Sequence, residues 1–103
     1  MQIFISSNSV RYDSIIDAIY FLCKKGYKNI ELTGGNKYEE KLIEKIKKIK
    51  EKFSLEFILH NYFPAPKEDF VINLCSTNDH IFNRSIEFCL NSIKISKSFE
   101  INK

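Results

Sequence analysis

The chain has no tryptophan, one methionine, three glycines and two prolines in 103 residues. That scarcity leaves no linker and no low-complexity tract, so the sequence reads as a single domain, residues 1–103, long enough to build one core. Cysteine is sparse as well. Cys23, Cys75 and Cys89 are far apart, form no C-x-x-C pair and are odd in number, which argues against a disulfide framework. Cys23 and Cys89 fall in apolar helical patterns, where a free thiol behaves as a small hydrophobe; a reducing cytoplasm is the expectation. No charge of one sign dominates, and a net charge of +3 is too small to imply a nucleic-acid partner, for which phosphate neutralisation is the usual driving force. No window approaches the roughly 18 apolar residues of a membrane span. The start, Met1-Gln2-Ile3-Phe4-Ile5, lacks the basic beginning and apolar length of a signal peptide, so a soluble protein without membrane partners is expected.

What the chain does have is an alternation of strand and helix. Gln2 to Ser6 reads as a short strand. Ser14 to Lys25 reads as a helix, with Ile15, Ile19 and Leu22 on one stripe, Asp13 or Ser14 as cap and Gly26 as the residue that ends it. Asn29 to Thr33 is the second strand, closed by Gly34-Gly35-Asn36. A second helix, about Tyr38 to Phe53, carries apolar residues at Leu42, Ile46, Ile49 and Phe53. Leu55 to His60 is the third strand. A loop from Asn61 to Cys75 exceeds the usual βα connection of about 2 to 6 residues, which makes it a functional candidate. Ser76 to Asp79 has the form of a capping box, predicting a third helix to about Ser98 that buries Phe82, Ile86, Cys89 and Ile93. Phe99 to Lys103 resembles the start of another strand.

β-α-β-α-β-α with short turns predicts parallel strands joined by right-handed crossovers. Alternate residues of a strand point opposite ways. One set, Ile3, Ile5, Ile30, Leu32, Leu55, Phe57 and Leu59, is the more apolar and should meet the helices. The other contains Phe4, Ser6, Asn8, Glu31, Thr33, Glu56, Ile58 and His60. Charge near the carboxyl edge of that second face suits the inside of a barrel better than a doubly wound sheet. Closing a barrel takes about eight strands, so the sequence is expected to be part of one.

His60 is the leading candidate for chemistry. It ends the third strand, at the edge where parallel α/β proteins bind ligands, and an imidazole can serve as acid, base or metal ligand. Glu31 shares its parity and can orient it, accept a substrate hydroxyl or support a metal from behind. Ser6 and Asn8 end the first strand and can touch substrate, yet small polar residues are common turn formers; for Asn8 the turn reading is the favoured one, while for Ser6 both stand. Tyr62 and Phe63, beside Pro64, can wall a sugar pocket or anchor the loop onto the helices. Gly34-Gly35-Asn36 matches neither G-x-G-x-x-G nor a Walker sequence, so a tight turn is expected. His80 reads as a solvated surface residue. The lysines from Lys41 to Lys52 are offset by Glu39, Glu40, Glu44 and Glu51, in pairs such as Glu44–Lys48, and read as a solvated face.

Taken in order, Ile30-Glu31-Leu32 after Gly26-Tyr27, Leu59-His60-Asn61-Tyr62-Phe63-Pro64, and Phe70-Val71-Ile72-Asn73-Leu74 before a capped helix form a pattern. It resembles the first part of the xylose isomerase-like TIM barrels, a superfamily that includes sugar phosphate isomerases and epimerases and the endonuclease IV type of apurinic-site nuclease. The resemblance implies three βα units of a (β/α)8 barrel. It also implies a divalent metal (zinc, manganese or magnesium) at the mouth, and a sugar or sugar phosphate undergoing metal-assisted proton transfer. Carry-over from the family is limited to His60, as a metal ligand in the nuclease branch. Glu31 and His60 as catalytic residues, and Ser6, Asn8 and Tyr62 on the substrate, are expectations from their own places at the strand ends and in the loop. The isomerase's principal metal ligands come mainly from later strands, none of which is in this chain. A nuclease is the alternative; the only basic residue from Asn61 to Cys75 is Lys67, which counts against it. A further alternative is a truncated product, inactive alone, that forms a homo-oligomer or pairs with a complementing chain.

Overall fold

The computed structural model describes residues 2–60, 63–68 and 71–99. Its strands are β1 (Ile5–Ser6), β2 (Asn29–Leu32) and β3 (Glu56–Leu59), and its helices α1 (Ile15–Lys24), α2 (Leu42–Phe53) and α3 (Asp79–Ser98). The strands lie side by side in the order β1-β2-β3, all parallel. The expected alternating α/β architecture is therefore present, with a 3-10 turn, Ser7–Ser9, after β1.

Side-chain parity follows the sequence reading through β2 and β3. Ile30, Leu32, Leu55 and Phe57 are buried, with Ile5 and Leu59 half-buried against them. They meet Ile15, Ile19 and Leu22 of α1 and Leu42, Ile46 and Ile49 of α2 in one core. Ile3 departs from the expectation. Strand β1 begins only at Ile5, leaving Ile3 outside the ladder and 76% exposed. On the opposite face Ser6, Glu31 and Ile58 stand in one register row, all half-buried.

Helix α1 has the predicted ends. The Ser14 hydroxyl accepts the Ile16 amide at 3.2 Å, and Gly26 takes the left-handed backbone (φ 96°) that a residue with a Cβ resists. Helix α2 starts four residues later than Tyr38, at Leu42. The stretch before it is committed elsewhere: the Lys37 amide donates to the Asp13 carbonyl at 2.8 Å and Asn36 Nδ2 to the Tyr12 carbonyl at 2.6 Å. Lys41 then turns through a left-handed conformation (φ 55°) into the helix. Its lysines 45, 47 and 48 are exposed, as expected. The ion pairs differ, however. Among the described residues Lys45 reaches Glu39 at 2.8 Å, and Lys37 reaches Asp13 at 3.3 Å.

Helix α3 corrects the sequence reading most. Its cap is Asn78, whose Oδ1 accepts the His80 and Ile81 amides at 2.9 and 3.2 Å, while Ser76 Oγ accepts the Asn78 amide instead. The buried positions are Ser85 and Ser92; Phe82 and Cys89 are half-buried, and Ile86 and Ile93 are 36% and 54% exposed. The loop beneath the helix supplies the reason. Its backbone polar groups need partners where water is excluded. Ser85 Oγ accepts the Asn73 amide at 2.9 Å and donates to the Ile81 carbonyl, and Ser92 Oγ donates to the Phe63 carbonyl at 2.5 Å. Phe99 does not open a strand. It caps α3 and is buried, its ring centroid 6.0 Å from that of Phe57; residues 100–103 lie outside the described residues. No helix of the described residues is long and apolar enough to cross a membrane.

Two measurements check this packing. Ser92→Ala should destabilise by about 1–3 kcal/mol, because it strands a buried carbonyl, whereas Ile93→Ala should stay within about 0.5 kcal/mol; urea unfolding separates them. Glu39 accepts from Lys45 Nζ and from Ser14 Oγ at 2.6 Å. Those bonds hold its carboxyl below the usual glutamate range, outweighing desolvation. The stabilisation is thus complete above the unfolded-state value of about 4.3 and is lost as pH falls through the lower folded value. Glu39→Gln should flatten the acid limb of a stability profile measured by urea midpoints.

Candidate functional site

The carboxyl ends of the three strands are joined by short-range polar contacts. Ser6 caps the 3-10 turn: its hydroxyl accepts the Asn8 amide at 3.1 Å, and its carbonyl accepts Ser9 Oγ at 2.7 Å. Ser7, fully buried, accepts the Thr33 amide at 3.1 Å and shares a hydroxyl–hydroxyl bond with Thr33 at 3.2 Å. These bonds pin the end of β1 to the end of β2. The His60 amide donates to the Leu32 carbonyl at 2.8 Å, extending the β2–β3 ladder by one step. Beyond His60 the chain is anchored by Phe63, which is 1% exposed in the core and precedes a cis peptide bond to Pro64. Phe63 therefore anchors the loop.

The result is a depression of about 430 Å³ lined by Ser6, Asn8, Glu31, Thr33, Gly34, Gly35 and His60. Four of the five residues singled out in the sequence meet there. Strand register explains it: Ser6 sits beside Glu31, and His60 follows Leu59, the partner of Leu32. Ser6 is also a structural cap, so its hydroxyl already has one local bond. Asn8 lies with its carboxamide over Gly35, where a Cβ would fall within 3.0 Å of it; glycine here is a matter of space. Tyr62 lies outside the described residues.

A second and larger depression, about 570 Å³, shares Gly34 and Gly35 with the first and extends along Tyr12, Asp13, Asn36, Lys37, Tyr38 and Ala65 to Lys67. Sequence reasoning missed it. Its walls come from three separate stretches, and the only local signals were the Gly34-Gly35-Asn36 turn and the lone lysine of the proline loop.

Chemically, the first depression offers a carboxylate, an imidazole, two hydroxyls and a carboxamide, a set suited to hydrogen-bonding a polyol and to moving protons. As a metal site it is short of donors. Glu31 and His60 are two, whereas a catalytic zinc usually takes three protein ligands, and among the described residues no group of three His, Cys, Asp or Glu side chains is placed to hold an ion. His80 is exposed on α3, as expected, and all three cysteines are free thiols.

No protein-family model, curated protein or solved structure matches the chain.

Gly35→Ala should destabilise the protein by no more than about 1 kcal/mol, because the carboxamide it meets is the exposed end of the Asn8 side chain and can turn aside. In an Asn8→Gly background the same substitution should cost less, and a double-mutant cycle on unfolding free energies reads the difference. Equal costs in both backgrounds would mean that Asn8 is not what the glycine accommodates.

Proposed function

We propose that the chain is the amino-terminal three βα units of a xylose isomerase-like barrel, of the sugar phosphate isomerase or epimerase kind. The observation that carries this reading is the meeting of Ser6, Glu31 and His60 at the carboxyl edge of a parallel sheet, on the face opposite that of Ile30 and Phe57, which pack with the helices. Sequential β1-β2-β3 order is what a barrel requires, and polar Ser6, Glu31 and His60 near the carboxyl ends suit its mouth.

In this reading Glu31 accepts a hydrogen bond from a sugar hydroxyl. His60 holds a neighbouring oxygen and passes a proton to or from it, and Ser6 and Asn8 border the ring. Glu31 and His60 alone do not make a metal site, so the chemistry assigned to this chain is binding and proton movement, in support of groups on later strands. A cytoplasmic setting goes with it. A second reading, a chain inactive alone that assembles with another copy or a complementing chain, draws on the exposure of Ile86, Leu90 and Ile93 along α3. Sedimentation decides the first of these: a monomer at all concentrations sinks assembly with another copy.

For the first reading, titrate the chain with ribose 5-phosphate and follow the His60 imidazole and Glu31 carboxyl resonances. Both should move, and Glu31→Gln should weaken binding about tenfold, the effect of losing one hydrogen bond to a charged group. Resonances that stay put at millimolar ligand would refute it.

A further inference from the structure

The larger depression is unlike the first in charge. Its polar walls carry two ammonium groups, Lys37 and Lys67, against one carboxylate, Asp13, and two tyrosines, Tyr12 and Tyr38, complete its sides. Both rings are placed by contacts of their own. Tyr12 tilts onto Phe21 with centroids 5.9 Å apart, and the Lys67 ammonium lies 6.0 Å from the centre of the Tyr38 ring. The Lys37–Asp13 pair, at 3.3 Å, does not commit Lys37. Its side chains are 77% and 82% exposed, and pairs so exposed contribute little, leaving the ammonium able to turn to a stronger anion. The Gly34 and Gly35 amides, on the shared rim, donate to no described residue.

We propose that this cleft is the subsite for the phosphate group of a phosphorylated sugar, whose ring lies across the Gly34–Gly35 rim in the Glu31 and His60 depression. The inference rests on the sugar-binding reading above and adds to it the charged end of the substrate. Lys37 and Lys67, brought to the cleft by separate stretches of chain, meet the dianion as charge-assisted donors. Tyr12 and Tyr38 keep the neighbouring carbons out of water. The anion arrives next to the site of proton transfer without entering it, so Glu31 is not opposed by a second negative charge in the same depression.

Amide resonances of the full chain, followed with ribose 5-phosphate, ribose and inorganic phosphate as separate probes, test this. Ribose 5-phosphate should shift Gly34, Lys37 and Lys67 together with His60, and inorganic phosphate should shift the first three alone. Joint Lys37→Ala and Lys67→Ala substitution should weaken ribose 5-phosphate binding about tenfold or more, with an unchanged urea midpoint because both side chains are exposed. If that variant binds ribose 5-phosphate as the parent does while His60 still shifts, the cleft assignment is wrong and the sugar-site reading survives. If ribose 5-phosphate shifts the cleft residues alone, and binding falls in the lysine variant, the anion subsite stands and the sugar-site reading fails. Ribose binding as tightly as ribose 5-phosphate would overturn the subsite.

Discussion

Side-chain alternation in a parallel sheet covered on one side is the constraint on which the rest depends. Once Ile30 and Phe57 face the helices, their neighbours Glu31 and Ile58 must face away. A one-residue slip would bury Glu31 under α1 and α2 and expose the core set. The same parity that makes the hydrophobic core therefore delivers Ser6 and Glu31 to one row and His60 to its edge. Packing and candidate chemistry are two readings of one register.

Hydroxyls finish what apolar packing begins. Strand β1 has only two residues, too few for ladder bonds to hold its end firmly, and Ser7 with Thr33 supplies the missing bonds inside the core. Ser14 does similar service between α1 and α2: it caps one helix while donating to Glu39, which in turn accepts Lys45. Each is a small polar group that bonds a backbone amide, which would be costly to leave unpaired where water is excluded. The loops that line both depressions are thereby held by the scaffold beneath them.

Much of this was legible in the sequence, and the failures have physical causes. The α1 boundaries follow from local chemistry at Ser14 and Gly26, and the parity of β2 and β3 from strict alternation. The start of α2 does not, because Asn36 and Lys37 are bonded to the turn before α1, a tertiary fact that no local pattern encodes. The face of α3 was misassigned because periodicity credits isoleucine and phenylalanine with burial and gives serine none. Register carried Ser6, Glu31 and His60 into one depression, since adjacent strands align their ends. The larger cleft escaped because residues 12–13, 34–38 and 65–67 meet only after folding.

The two serines of α3 have a mechanical consequence. Ser85 and Ser92 are seven residues apart, close to two turns, or about 10.5 Å along the axis, and each is bonded to a different stretch of the preceding loop. Apolar contacts tolerate sliding; two directional bonds at a fixed spacing do not. A helix displaced by one turn would break both, so α3 has a single seating, indexed like a key with two teeth. The loop it grips carries Pro66 and Lys67, and their height above the sheet is set by that indexing.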